Sequence, residues 1–298
     1  MKSLKRLQGE YWQAIRVGWF LAIRNIRRSN KGTTSLIIFI MVLTFLNLVV
    51  VSGLLVGLIA GSFQAFEKSY SGEVIVTSAF KQDYIENSQE LISFLENHPK
   101  VNSISARYAT GGQLLGTLND LPDKGERANK IGIQVVGIDL DKEEAVTGFS
   151  RFLKYGEMLN KDEEGYALIG MNMLKKYSSF GDANIPGLDL LTDVEVGSRV
   201  RLTLSRQGDS VISKEFIIKG IVKSKVDQIS TRLFITDKEL RRMLPVNKDE
   251  VQEIAIRVDK VYAPTLVKQI EDFMGENLGR AQTSDDAVPS FLRDIETT

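Results

Sequence analysis

The chain has no cysteine and a single histidine, and both shortages exclude kinds of chemistry. Without cysteine there are no disulfides, thiolate metal sites or cysteine nucleophiles. His98 has no second histidine with which to bind a metal, and it precedes Pro99 at a predicted helix end, where an imidazole commonly faces the helix dipole. The phosphate-binding pattern GxxxxGK(S/T) is also missing. We therefore expect no enzyme activity, no cofactor and no metal from this chain alone.

Charge is absent from one long segment near the N-terminus. The 25 residues from Leu36 to Ala60 include no Asp, Glu, Lys or Arg. At about 1.5 Å of rise per residue, a helix of this length exceeds the roughly 30 Å hydrocarbon core of a bilayer. A cleaved signal sequence has a shorter apolar region, of about 7–15 residues. We therefore interpret residues 35–61 as a transmembrane helix that is retained as an anchor.

The charges on the two sides of this helix differ in sign. Of the 38 basic and 38 acidic residues, eight basic and one acidic precede Leu36, which leaves 30 basic and 37 acidic residues after it. Because basic residues collect on the cytoplasmic side, we expect the helix in the cell (inner) membrane, residues 1–34 in the cytoplasm and residues 62–298 outside. Beyond the leader the sequence shows no basic patch, so we expect no nucleic acid among the partners.

The leader before the membrane helix, residues 1–34, reads as an amphipathic helix. Its apolar residues recur at spacings of three and four, at Trp12, Ile15, Trp19, Ala22, Ile23 and Ile26. Tryptophan and arginine on opposite faces are typical of a helix that lies in the lipid headgroup layer. The residues predicted to contact membrane lipid are Trp12, Trp19, Arg24, Arg27 and Arg28. The alternative is a soluble helix that packs on another protein.

Three glycines form a stripe along the predicted membrane helix. Gly53, Gly57 and Gly61 recur about once per turn, and small residues at this spacing let a second helix approach closely. Asn47, about two turns earlier, carries an amide that can hydrogen-bond across such an interface. These four residues are the predicted helix-packing face. Ordinary packing within one subunit remains an alternative to a subunit interface.

Two segments, one near each end of residues 62–298, are each predicted to form a strand, a helix and a second strand. The first comprises residues 73–78, 88–97 and 101–106, and the second residues 253–258, 263–274 and 280–283. Alternating apolar residues mark the strands, and apolar residues three and four apart mark the helices. A βαβ unit at each end predicts one split α+β subdomain whose two halves pack together.

The sequence between these units has a different character. We predict strands at residues 131–138, 166–169, 194–204 and 215–222, and helices at 171–177 and 237–244. The last two strands form a pair about a turn at residues 206–209, and residues 236–239 resemble a capping box that opens the second helix. This middle region is therefore expected to be rich in β-structure.

Several of these segments together resemble one known family. Residues 21–31, LAIRNIRRSNK, directly before the apolar run, resemble the opening of ABC-transporter permeases of the MacB/LolC/LolE/FtsX type. Four further segments resemble motifs of this family and occur in the family's order, namely GYALIGMNMLKKY (165–177), VEVGSRVRLTL (194–204), EFIIKGIV (215–222) and RLFITDKELRRML (232–244). The resemblance covers nearly the whole chain, and the ordered series is more specific than any one segment.

The family resemblance implies an architecture. It implies one transmembrane helix followed by an extracytoplasmic α+β domain, residues 62–298, similar to the periplasmic core domain of MacB. Residues 62–139 and 225–298 are then the two halves of a porter-like subdomain, and residues 140–224 are a β-rich subdomain inserted between them. Family members continue into three further membrane helices, so we expect this chain to be a fragment of a longer protein.

The resemblance also implies partners and a mechanism. A separate cytoplasmic ATPase subunit would drive movement of the membrane helices, and a second permease subunit, identical or different, would complete the membrane part. The outer domain would then act on a lipoprotein, an exported substrate or an extracytoplasmic adaptor protein. The main rival is a membrane-anchored binding or sensor module, for which the glycine stripe and the leader are not required. A membrane-tethered enzyme would need a nucleophile–base pair that the sequence does not offer.

The topology is testable because the chain has no cysteine of its own. We expect a cysteine at position 178 (Ser178→Cys) to react with a membrane-impermeant thiol reagent in intact cells, because the charge difference places residues after 62 outside. The Ser3→Cys variant should react only after the cells are opened. Labelling of position 3 but not position 178 in intact cells would contradict this orientation.

Overall fold

The computed structural model describes residues 16–21, 23–24, 31–78, 82–116, 129–178, 189–205, 211–244, 250–275, 279–284 and 286. The chain divides into two compact units, residues 1–60 and residues 61–298.

The first unit is helical throughout its described residues. Residues 16–21 and 23–24 are helical, and helix α1 runs from Lys31 to Phe66, so it begins before and ends after the predicted span of 35–61. By length and composition, its Lys31–Leu54 segment is able to cross a membrane, and its side chains are not buried among the described residues. Within this segment Thr44 donates its hydroxyl to the Ile40 carbonyl, at 2.8 Å, on its own helix.

The second unit combines ten strands with five short helices among the residues that the structure describes. The strands are β1 (Val74–Thr77), β2 (Val101–Leu115), β3 (Lys130–Ile138), β4 (Leu153–Gly156), β5 (Tyr166–Gly170), β6 (Arg199–Ser205), β7 (Val211–Val222), β8 (Arg232–Thr236), β9 (Glu253–Val258) and β10 (Arg280–Thr283). The helices are α2 (Ser88–Glu96), α3 (Leu140–Thr147), α4 (Asp227–Ser230), α5 (Asp237–Met243) and α6 (Ala263–Met274).

The two segments that were predicted as βαβ units are hydrogen-bonded to each other in one antiparallel layer. Strand β1 lies between β10 and β9, and β9 pairs in turn with the first half of β2. Helices α2 and α6 cover this layer, and the rings of Phe94 and Phe273 stack between them with centroids 4.8 Å apart. Both helices and all four strands contribute to a single hydrophobic core, the helix–sheet core, which includes Val74, Leu95, Ile256 and Leu266. The first βαβ unit thus buries its apolar face against the second.

The second half of β2 belongs to a closed barrel of six strands. Around the ring, β2 pairs with β3, then β8, β5, β7 and β6, and β6 pairs back with β2. Side chains alternate between two environments, as the period of two along a strand requires. In β3, Ile131, Ile133 and Val135 point into the barrel core, whereas Val136 and Ile138 belong to an outer group around Phe149, the Phe149 cluster.

Three sequence predictions differ from the structure. Residues 171–177 form two 3₁₀ turns on either side of Leu174, which is extended and buried in the barrel core, rather than one helix. The strand expected at 194–204 begins only at Arg199, because residues 195–198 form a turn in which Gly197 has a φ of 89°. The sheets also do not divide at residues 139/140 and 224/225. Strand β3 ends before the first boundary and β8 begins after the second. Both nevertheless lie in the barrel with strands from residues 140–224, and β3 and β8 pair in parallel.

The helix–sheet core gives a stability prediction. Leu266 is fully buried, so Leu266→Ala should lower the free energy of unfolding by about 2–5 kcal/mol. Because α6 shares its core with β1 and α2, hydrogen exchange of the amides in residues 74–77 and 88–96 should accelerate as well. The control is Val261→Ala, since Val261 is 89% exposed, and it should change stability by no more than about 0.5 kcal/mol. Exchange that accelerates only within α6 would show that the two βαβ units are not one cooperative unit.

Candidate functional site around Tyr70

The segment that follows α1 turns sharply into the sheet. A π-helical turn, Glu67–Ser71, continues directly from Phe66, and within it Ser69, Tyr70 and Ser71 are buried. Gly72 then has a φ of 65°, and an added Cβ would lie 2.4 Å from the carbonyl oxygen of Ile256. Only glycine fits this turn, because any side chain would collide with the backbone of β9. The turn places Tyr70 inside the fold.

Tyr70 is held by side chains from several elements. Its hydroxyl donates to the carboxylate of Glu253 on β9 and accepts from the guanidinium of Arg232 on β8. Its carbonyl accepts from Arg107 Nη2 on β2, at 2.7 Å. The ring also contacts both guanidinium groups, with Arg107 Cζ 4.5 Å and Arg232 Cζ 5.3 Å from the ring centroid. The segment after α1 is thus fixed to three strands through one residue.

The positive charge of Arg107, beneath Tyr70, is balanced by the carboxylate of Glu143. Arg107 donates from Nε and Nη2 to the two oxygens of Glu143 on α3, at 2.9 and 2.7 Å, a bidentate pair. Arg107 is 2% exposed and Glu143 3%. The hydroxyls of Ser105 and Thr147 donate to the same carboxylate, at 2.7 and 3.0 Å. These hydrogen bonds satisfy both oxygens of the buried carboxylate. Arg107 Nη1 also lies 3.5 Å from Glu253, whereas Glu143 would be left without a countercharge if Arg107 were lost.

The protonation states of the cluster follow from burial and from these neighbours. Burial raises the pKa of Tyr70 above its usual range, and the carboxylate of Glu253 raises it further, so the phenol stays neutral. Burial alone would raise the pKa of Glu143, but the charge and hydrogen bonds of Arg107, together with the hydroxyls of Ser105 and Thr147, outweigh it and hold that pKa below its usual value. Burial alone would lower the pKa of Arg107, and Glu143 outweighs it in turn. The cluster therefore holds an ionised pair beside a neutral tyrosine.

Further contacts attach the end of α1 to the same domain. Ala65 and Phe66 pack against the Phe149 cluster, of which Tyr70 is a member, and the Phe66 and Tyr70 rings lie 5.3 Å apart. Glu67 accepts from Lys260 Nζ at 2.7 Å, next to α6. We refer to residues 65–72 with Arg107, Glu143, Arg232 and Glu253 as the Tyr70 junction. Its chemistry is that of a mechanical attachment, since the Tyr70 hydroxyl and carbonyl and the Glu143 carboxylate all bond to other residues of the domain.

The predicted site residues lie elsewhere. Asn47, Gly53, Gly57 and Gly61 are exposed on α1, and a Cβ added to any of the three glycines would meet no described atom within 4 Å. Trp19, which is 70% exposed, and Arg24 are exposed in the helical leader. Trp12, Arg27 and Arg28 lie outside the described residues. The helix-packing and lipid contacts therefore remain predictions.

His98 has a structural environment. Its Nδ1 accepts from the Lys100 amide at 3.2 Å, and its Nε2 lies 3.2 Å from Gln269 Oε1 on α6, which suits a neutral imidazole protonated on Nε2. The ring also contacts Phe94 and Tyr262. The residue thus links the ends of α2 and α6.

The expectation that no basic patch exists beyond the leader is wrong. A cleft of about 500 Å³ is lined by the end of α1 and by five basic residues from three separate segments, namely Lys68, Arg151, Lys154, Lys223 and Lys225. These residues are far apart in the sequence, and the pairing of β4 with β7 brings two of the three segments together. A count of charges along the sequence does not detect such a patch, because the patch forms only when distant segments come together.

Comparisons with known proteins add fold neighbours only. No protein-family model matches the chain, and no curated protein matches it. Among solved structures, the periplasmic region of MacB from Actinobacillus actinomycetemcomitans is 13% identical, with a TM-score of 0.44, over 76% of this chain and 92% of that one. The extracellular domain of the noncanonical ABC-type transporter YknZ from Gram-positive bacteria is 10% identical, with a TM-score of 0.43, over 70% of this chain and 98% of that one. By their descriptions, these two structures are a periplasmic region and an extracellular domain.

The buried pair beneath Tyr70 gives a prediction with a pH dependence. Glu143→Gln removes the bidentate partner of Arg107 and leaves only the Glu253 carboxylate, 3.5 Å from Nη1, so the free energy of unfolding at pH 7 should fall by about 3 kcal/mol. Because the folded-state pKa of Glu143 is lowered, its contribution is present above the unfolded value of about 4.3 and is lost as the pH falls through the folded value. The variant should therefore lose less stability than the wild type between pH 5 and pH 2.

The matched control for this variant is Glu96→Gln. Glu96 pairs with Lys142 at 2.7 Å, but both side chains are 46% exposed, so its loss should cost no more than about 1 kcal/mol. Denaturant unfolding of the whole chain in detergent at each pH would measure both variants. Equal losses for the two variants would show that the buried pair does not hold the junction.

Proposed function

We propose that this chain is the transmembrane subunit of an ABC transporter that transmits ATP-driven motion to its extracytoplasmic domain. The observation that carries the proposal is the Tyr70 junction. A movement of α1 acts first on residues 67–72, and these are bonded to β2, β8 and β9 and, through Arg107, to α3. Displacing Tyr70 would break its buried hydrogen bonds to Glu253, Arg232 and Arg107, and hydrogen bonds to charged groups are costly to lose.

The geometry of α1 supports the same role. The helix continues for 36 residues from Lys31 to Phe66 without a break and passes directly into the π-helical turn. A continuous helix transmits displacement along its axis, whereas a flexible linker between helix and domain would absorb it. A binding or sensor module needs only a tether. A helix exit at which Tyr70 is held by Arg107, Arg232 and Glu253 favours the transporter over that rival.

The proposal includes partners. The chain has no phosphate-binding loop, so a separate cytoplasmic ATPase would supply the energy. The open stripe of Gly53, Gly57 and Gly61 would accept another helix, which belongs either to later segments of the same permease or to a second permease subunit. The output would be release of a lipoprotein, export of a substrate or action on an extracytoplasmic adaptor.

The test compares two tyrosine variants in the reconstituted complex of permease and ATPase. Tyr70→Phe removes the hydroxyl that bonds Glu253 and Arg232 but keeps the ring. Tyr155→Phe is the matched control, because Tyr155 is exposed. A spin label at Val261→Cys, paired with a label on the second permease subunit, would report the position of the outer domain with and without trapped ATP.

We expect the wild type and Tyr155→Phe to show the same ATP-dependent change in distance. Tyr70→Phe should bind the ATPase normally but show a smaller change or a broader distribution, because the domain follows the helix less closely. An undiminished change in Tyr70→Phe would show that motion does not pass through the junction. A chain that binds no ATPase and shows no response to ATP would instead support the anchored binding or sensor module.

A further inference from the structure

We infer that the basic cleft beside the end of α1 binds the phosphate headgroup of an anionic phospholipid. The cleft of about 500 Å³ is lined by Gly61, Gln64 and Ala65 from the last turns of α1, and by residues 68–69, 151–154 and 223–225. Its size is within the range of ordinary ligand pockets. The inference requires that α1 spans a membrane, but it does not require an ATPase.

The charges of the cleft are concentrated and uncompensated. Five side chains in its lining are cationic, none is anionic, and all five are exposed. Among the described residues, none of the five forms a salt bridge, whereas lysines elsewhere on the domain, such as Lys142, Lys161 and Lys176, do. The domain around them carries a net negative charge, so this cluster is not a general property of its surface. Cations gathered in this way are stabilised by a bound anion.

The cations are held in place by the fold. Arg151 donates to the Lys68 carbonyl and lies 3.5 Å from Ser69 Oγ, and its guanidinium covers the Phe152 ring at 5.0 Å from the centroid. The Lys223 amide donates to the Phe152 carbonyl at 2.8 Å, which joins the second and third segments. These contacts hold the Arg151 guanidinium and the backbone at Lys223 beside the cleft, which all five cationic residues line.

The position of the cleft along the chain identifies the ligand. Gly61 directly follows the apolar segment Leu36–Ala60, residues 61–66 are also uncharged, and Lys68 is the first basic residue after them. Long cationic side chains just beyond a membrane span extend into the headgroup layer, where lipid phosphates lie. The lining also has an apolar part, Ala65 and Phe152, against which the glycerol backbone of a lipid can pack. A phospholipid in the leaflet matches both the charge and the location.

The test uses the whole chain in detergent and native mass spectrometry with added lipid. The wild type should bind phosphatidylglycerol in preference to zwitterionic phosphatidylcholine. The triple variant Lys154→Gln/Lys223→Gln/Lys225→Gln should bind phosphatidylglycerol about 100-fold more weakly at low salt, since each cation near a membrane surface is worth about fivefold. The matched control, Lys142→Gln/Lys161→Gln/Lys176→Gln, removes the same charge from paired lysines outside the cleft and should bind as the wild type does.

Several outcomes would overturn the inference. Equal binding of the two lipids, or equal weakening by the two triple variants, would show that the cleft does not select a headgroup. Soluble glycerol phosphate is added as a competitor. If it displaced phosphatidylglycerol at equal concentration, the site would belong to a soluble anion. If a short RNA bound with the same dependence on the cleft lysines and displaced the lipid, the site would belong to nucleic acid.

Discussion

The ion pair between Arg107 and Glu143 is the interaction on which the Tyr70 junction depends. Glu143 compensates the charge of Arg107, and only a compensated guanidinium can lie buried beneath Tyr70 and bond its carbonyl. Tyr70 in turn orders the turn between the end of α1 and β1. The pair also ties α3 to β2, so one charge interaction connects a helix, a central strand and the segment that leaves α1.

Strand β2 belongs to both sheets of the domain and joins them. Its first half pairs with β9 in the four-stranded layer, its second half closes the six-stranded barrel, and Arg107 lies where one part passes into the other. The helix–sheet core and the barrel core thus share a strand instead of meeting at a loose interface. A force that reaches Arg107 through Tyr70 is delivered to both parts. This is the physical basis for treating the outer domain as one body in the proposed mechanism.

Local patterns predicted the elements well where one face of a segment is buried. The helix at 263–274 and the strands at 253–258 and 280–283 match their predicted bounds, because their apolar residues follow one period throughout. Strand β2 was predicted only to residue 106, but it continues to Leu115 and includes Gly111 and Gly112. Gly112 is needed there, because an added Cβ would lie 2.6 Å from Leu204 on β6. The Tyr70 junction and the basic cleft join residues separated by more than eighty positions, so no local period reveals them.

The strand order has a consequence for how the protein is made. β1 follows α1 within eight residues, yet both of its neighbours come from the far end of the chain, where Val74 faces Ile256 on one side and Thr283 on the other. A ribosome therefore produces the helix and its exit first and the strands that complete them last. Until those strands arrive, β1 exposes two unpaired edges, and pairings between distant segments form slowly. The new chain has to be kept from aggregating during that interval, so a chaperone at the site of synthesis or release would matter more for this domain than for one built from local contacts.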